Sequence, residues 1–210
     1  MKTFVWTFIA VSLLFLGCGS SKKLPKTDSV SGVTETKSIT EIPHIQSNNM
    51  TTKAIIFLYS FHHGNTRKVA NSIAPEINAL ILNVNEINIE NIDFSTLEEY
   101  ELIGFGSGID SGKHYQLLLD FAEKLPPVEN KKAFVFSTSG IYNEKQMESN
   151  HKTLRNILQN KGFVIVGEFG CQGHNTNSFL KYFGGMNKSR PNTEDLKNAV
   201  EFAKRLVLEK

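Results

Sequence analysis

Seven consecutive residues, Ser60-Phe61-His62-His63-Gly64-Asn65-Thr66, place hydroxyl, imidazole and amide groups between an apolar run and a helix-forming segment. Where such a loop leaves a strand and opens a helix, backbone N–H groups and the positive end of the helix dipole form a site for a phosphate dianion, and side-chain hydroxyls and amides add donors. Gly-Asn-Thr alone is a common way to start a helix. Its position directly after the first apolar run is what points to an anion. Two other phosphate patterns fail on spacing. A Walker A loop ending at Gly112-Lys113 needs glycine at 107 and a hydroxyl residue at 114, where Ser107 and His114 stand. The dinucleotide fingerprint fails too, because its third glycine would fall on Ile109 or on Ser111.

Three further stretches could contribute chemistry from the same side of a fold. Gly106-Ser107-Gly108-Ile109-Asp110-Ser111-Gly112-Lys113-His114 reads as a glycine-rich loop, Ser137-Thr138-Ser139-Gly140-Ile141-Tyr142 as a hydroxyl-rich one, and Gly170-Cys171-Gln172-Gly173-His174-Asn175-Thr176 as a third. Cys171 near His174 has no visible third group to orient a nucleophile and reads as a cysteine half-buried at a strand end. With only Cys18 besides, the chain has neither a disulfide scaffold nor a multi-cysteine metal site.

The elements that must position these loops follow from the pattern of apolar residues. Residues 54–59, Ala-Ile-Ile-Phe-Leu-Tyr, form a continuous apolar run of the kind found in buried parallel strands. Further strands are predicted at 80–84, 101–106, 133–136 and 163–167. Between them, Val69, Ile73 and Ile77 share one face of a helix over 65–79, Tyr115 to Leu125 form a helix stopped by Pro126-Pro127, and another runs from about Met147 to Asn160. A last helix starts at Asn192 with acids in its first turn and turns Leu196, Val200, Ala203 and Val207 inward. Five strands alternating with helices imply an α/β doubly wound parallel sheet with right-handed crossovers, whose ligand sits beyond the carboxyl ends of the strands.

A hydroxyl-rich loop ending in Gly64-Asn65-Thr66 after the first strand resembles the FMN phosphate loop of the flavodoxins, and the likeness in element order covers roughly residues 53–208. The resemblance implies a flavodoxin-like five-stranded sheet of order 2-1-3-4-5. It also implies FMN as cofactor, with Ser60, His62, His63, Gly64, Asn65 and Thr66 around the phosphate. Gly106, Ser107 and Gly108 would then lie against one face of the ring, near its N5, and Ser137, Thr138, Ser139 and Gly140 at the pyrimidine edge, with Tyr142 stacking on the other face. His62 and His63 stand where short hydroxyl residues are usual, and the only tryptophan, Trp6, lies outside this region. Tyr115 or His114 is the substitute for the aromatic wall.

The N-terminus has its own reading. Met1-Lys2, an apolar run from Phe4 to Leu16 and Phe15-Leu16-Gly17-Cys18 resemble a bacterial lipoprotein signal peptide, residues 1–17, with Cys18 as the lipidated residue. Residues 18–52 are polar and contain Pro25 and Pro43, as a tether would; fully extended they reach roughly 100 Å. The folded domain is then 53–210, held at the cell envelope outside the cytoplasm. A net charge of +2, from 23 basic and 21 acidic residues, nominates no nucleic acid. The leading function is electron transfer between FMN and a redox partner protein or membrane electron donor. The alternatives are an FMN-dependent NAD(P)H:quinone or nitro-compound reductase, and a flavin-free envelope interaction module.

Overall fold

The computed structural model describes residues 53–89 and 93–208; the apolar N-terminal run, Cys18 and the proposed tether lie outside the described residues. Strands β1 (Ala54–Tyr59), β2 (Ala79–Asn83), β3 (Leu102–Asp110), β5 (Lys131–Ser139) and β6 (Phe163–Gln172) form one parallel sheet in the order β2-β1-β3-β5-β6. Among themselves the five parallel strands follow the expected order 2-1-3-4-5. A two-residue strand, β4 (Lys113–His114), pairs antiparallel with the end of β3.

Because both faces of the sheet are covered, successive strand residues enter different cores. Ile55, Phe57, Ile103, Phe105 and Val135 pack against α2 (Gln116–Lys124) and α3 (Glu144–Asn160). Ala54, Ile56, Leu58, Phe134 and Phe136 pack against α1 (Asn65–Ile73) and α4 (Thr193–Leu208). This alternation later decides which polar residues meet.

Several boundaries differ from the expectation. The helix predicted over 65–79 is α-helical only to Ile73 and continues as a tighter 3-10 turn over Ala74–Ile77, because Pro75 has no N–H for the α ladder. In α4 the inward face centres on Ala199, Phe202 and Ala203, with Leu196, Val200 and Val207 only half-buried. Asp195 turns inward there because it accepts from the Arg190 guanidinium and from the Asn192 N–H, while Asn192 caps its N–H in return.

The largest difference concerns 106–110, expected as loop and found as strand. Gly104 and Gly106 lie on the face where Phe134 and Phe136 cross from β5, and a Cβ would come within 2.4 and 2.1 Å of their ring carbons. These glycines therefore serve close packing inside the sheet. The chain reverses only at Ser111 (φ 52) and Gly112 (φ 80), a two-residue turn with both residues left-handed. Strand β6 is also longer than expected and bulges at Val166, where its register with β5 shifts from Ala133↔Ile165 to Phe134↔Gly167.

Candidate functional site

Four loops converge beyond the carboxyl ends of β1, β3, β5 and β6, where a doubly wound sheet places its ligands. They enclose a small pit of about 40 Å³ whose lining includes His62, Asn65, Thr66, Gly108, Thr138 and His174. The pit adjoins a trough of about 400 Å³ walled by Ile109, Ile141, Leu180 and Met186 and edged by Gln146 and Asn150. Ile109, Ser139, Gly140 and Asn175 border both.

The pit is built at the start of α1, whose first N–H groups have no acceptor within the helix. Gly64, at φ 63, turns the chain into that helix, and Ser60 accepts from the Arg67 N–H at 3.1 Å. Thr66 and Thr138 are both buried and share a hydrogen bond, with their hydroxyl oxygens 2.9 Å apart. Period-two alternation brings them together, since Thr138 follows Phe134 and Phe136 onto the α1 side of the sheet. Asn65 donates through Nδ2 to the His174 carbonyl oxygen at 2.8 Å, while its buried Oδ1 has no partner. Gly173 lies so close beneath it that a Cβ would come within 2.9 Å of the Asn65 amide nitrogen.

Among the described residues no acidic side chain lines the pit, and its polar groups are hydroxyls, amides and imidazoles. His63 stacks on His174, with ring centroids 4.0 Å apart, and its Nε2 lies 2.9 Å from the Thr176 hydroxyl. Burial, then the charges of His174, His62 and Lys68, hold the His63 imidazole below its ordinary value. The charged form of this imidazole is thus disfavoured in the loop. Tyr115 stands at the pit wall, edge-on to Tyr59 at 5.4 Å.

Not every residue nominated from the sequence reaches this site. His62, Asn65, Thr66, Gly108, Thr138, Ser139 and Gly140 line the pit. Ser60 and Gly64 shape the entry to α1, and His63 stands behind His174. Gly106 is enclosed in the sheet against Phe136. Ser107 and Ser137, one residue out of phase with the pit, are turned to the α2/α3 side and fully or nearly fully buried. Tyr142 packs near Gly170 and Met147 beside β6 and faces a different cleft, away from the pit. His114 is buried and bonded to Ser107, so of the two only Tyr115 reaches the pit, which Phe61 also lines. Sequence reasoning missed the contributions of Ile109, at the end of β3, and of Asn177, Leu180 and Met186, whose only signal is their place at the same sheet end.

Beneath the rim, Ser107 and Ser137 anchor a buried polar chain. His114 Nδ1 lies 2.9 Å from the Ser107 hydroxyl, which also accepts from the Tyr115 N–H at 3.2 Å. The Ser137 hydroxyl lies 2.8 Å from His151 Nε2, and His151 Nδ1 donates to Glu168 at 2.8 Å, with Arg155 donating to the same carboxylate. A serine, a histidine and an acid in that order form a nucleophile's arrangement, but Ser137 is 3% exposed and His151 0%, so no substrate reaches the hydroxyl. Cys171 is likewise sealed, and burial pushes its thiol up to about 12.

A larger cleft, about 830 Å³, runs beside β6 and is lined by Tyr142, Arg155, Glu168, Asp195 and Arg205 among others. Its charges have both signs and it follows the sheet edge, whereas the pit and trough gather four loops at the strands' carboxyl ends. The smaller cavity is therefore the better site.

The flavodoxin domain family profile matches residues 56–204. An uncharacterized protein of Methanocaldococcus jannaschii is 48% identical over 155 residues, covering 74% of this chain and 98% of its own length. A flavodoxin-like domain-containing protein, BilS, of Clostridioides difficile is 29% identical over 149 residues, covering 69% of this chain and 80% of its own. Among solved structures, oxidised flavodoxin 2 from Bacillus cereus superposes with a TM-score of 0.55 at 17% identity, over 75% of this chain and 99% of that one. The flavodiiron core Flv1 from Synechocystis gives 0.53 at 17% identity, over 76% of this chain but 37% of that one.

Proposed function

Because the chain belongs to the flavodoxin domain family, we propose that it is an FMN-binding redox protein that passes electrons between partners, held at the cell envelope by a lipid on Cys18. The observation that carries the cofactor reading is the acid-free pit at the start of α1 opening onto a trough with apolar walls and amide edges. The residues fit the group: a phosphate calls for donors without carboxylates, and a flat heteroaromatic ring calls for apolar faces and polar edges.

In this reading Thr66, Thr138, Asn65 and His62 hold the phosphate, and Ile109, Ile141 and Met186 wall the ring. Bound FMN supplies one- and two-electron chemistry. The chain's own part is to orient and enclose. Asn187 ties the far wall by donating to the Gly140 carbonyl oxygen at 2.6 Å, and Gly173 is pinned by donating to the Ser139 carbonyl oxygen at 2.8 Å. Ser107 fixes the other wall through the Tyr115 N–H.

The test is an absorption spectrum of the purified chain after incubation with FMN and gel filtration. Oxidised-flavin bands at about one flavin per chain are expected for a single phosphate pit. Thr66→Val removes one hydroxyl from the pit and is expected to weaken FMN binding by roughly 10- to 100-fold, the worth of one hydrogen bond to a charged group. A folded, colourless protein would overturn the reading and leave a flavin-free interaction module as the better account.

A further inference from the structure

Among the described residues, four of the five most exposed large apolar side chains gather at one end of the sheet. Phe61 is 67% exposed, Ile141 62%, Tyr182 78% and Phe183 81%. Phe61 follows β1, Ile141 follows β5, and Tyr182 and Phe183 end the 3-10 turn Ser178–Phe183 after β6, so all four stand on loops around the pit and trough. An exposed apolar rim of this kind marks a contact surface.

Charge indicates what it contacts. Between Glu168 and Glu194 there is no acidic residue, and this stretch carries Lys181, Lys188 and Arg190. Arg190 is paired with Asp195, which leaves Lys181 and Lys188, both exposed, beside Tyr182 and Phe183. The Lys181 ammonium sits 5.0 Å from the centre of the Tyr182 ring. The segment with Phe61 is similar, holding Arg67 and Lys68 and no acid from Ser60 to Pro75. Protruding aromatic rings with lysines at their base match the boundary of an anionic bilayer, where rings enter the acyl edge and ammonium groups stay with the headgroups.

We propose that this rim docks on an anionic phospholipid surface, turning the pit and trough toward the membrane. The proposal rests on the envelope reading above. Residues 18–52, joined to the domain at Lys53 before β1, would keep it within reach of the bilayer. That attachment is at the opposite end of the sheet from the rim, and a tether reaching roughly 100 Å is long enough for the domain to lie with its rim down.

The test uses the full chain with Trp6→Phe, so that a single introduced tryptophan reports. Phe183→Trp places the reporter on the rim. Leu208→Trp is the control: Leu208 is 78% exposed and ends α4 at the other pole, since Leu206 lines a cavity with Glu101, Leu102 and Lys131 at the strand starts. With vesicles of phosphatidylcholine and phosphatidylglycerol, the Phe183→Trp emission is expected to shift to the blue and to be quenched by brominated lipid, and the control is not. Lys181→Glu and Lys188→Glu are each expected to lower the affinity for these vesicles by roughly 5-fold. Equal behaviour of the two reporters, or solvent-like emission from Phe183→Trp, overturns the proposal and makes the rim a protein-docking face. The readout needs no flavin. A colourless chain that still shows the contact sinks only the FMN reading, and a yellow one that lacks it sinks only the rim.

Discussion

Single residues set how this domain answers acid, and two of them do so in separate pH ranges. His114 is fully buried, and burial first, then the neighbouring His151, hold its imidazole well below the usual 6.5. The unfolded chain binds that proton and the folded one refuses it, so this group's contribution to stability is lost as pH falls below 6.5. Glu168 acts lower. Burial alone would raise its carboxyl, but hydrogen bonds and charge from His151 and Arg155 prevail and hold it at about 2. Its contribution is complete above the ordinary 4.5 and lost as pH falls toward 2. Thermal melts across this range are expected to show two descents in Tm. Glu168→Gln should remove the lower one and His114→Phe the upper. A His114→Phe chain that keeps the upper descent would assign it to another histidine.

At the scale of elements, the sheet is held by close approach as much as by hydrogen bonds. Gly106 leaves space for the Phe136 ring, and a Cβ there would lie 2.1 Å from its Cζ. Gly106→Ala is expected to cost about 1–3 kcal/mol in urea denaturation, the usual range for overpacking. Pairing it with Phe136→Leu should recover part of that loss, a coupling of about 0.5–3 kcal/mol for residues in contact. Gly112 provides the contrast. It has φ 80 and only the Asn150 amide oxygen near a built Cβ, at 3.9 Å, so Gly112→Ala costs about 1 kcal/mol of backbone strain and no partner substitution rescues it.

For the whole molecule the question is where it works. Among the described residues no helix is long and apolar enough to cross a membrane; the proposed attachment rests on a lipid on Cys18 and on the rim. Cells expressing the full chain and fed a labelled fatty acid are expected to label it, and Cys18→Ser should abolish the label while leaving the flavin spectrum unchanged. Label persisting on Cys18→Ser would reject that anchor. The two proposed attachments would differ in strength: a rim of four side chains would be reversible, whereas a diacylated cysteine would keep the domain near the bilayer through every release.

The central strands were legible in the chain because they are buried on both faces and so read as unbroken apolar runs, as Ala54–Tyr59 and residues 133–136 do, whereas the order of the sheet came from the family resemblance. The candidate phosphate loop could be nominated because its parts are adjacent in sequence and open one helix. Other parts of the site depend on distance in space. Thr66 meets Thr138 across 72 residues and Asn65 meets the His174 carbonyl across 109, pairings that no local pattern announces. Alternation then sorts neighbours with the same chemistry, sending Thr138 to the pit and Ser137 to His151, and only the strand's facing in the folded sheet says which is which. Gly106 is the clearest divergence, since a glycine reads alike in a loop and in a sheet, and only the Phe136 ring against it decides. Residue types and spacing thus determined the elements and nominated one candidate loop, while the packing of loops from four strands decided which side chains line the pit.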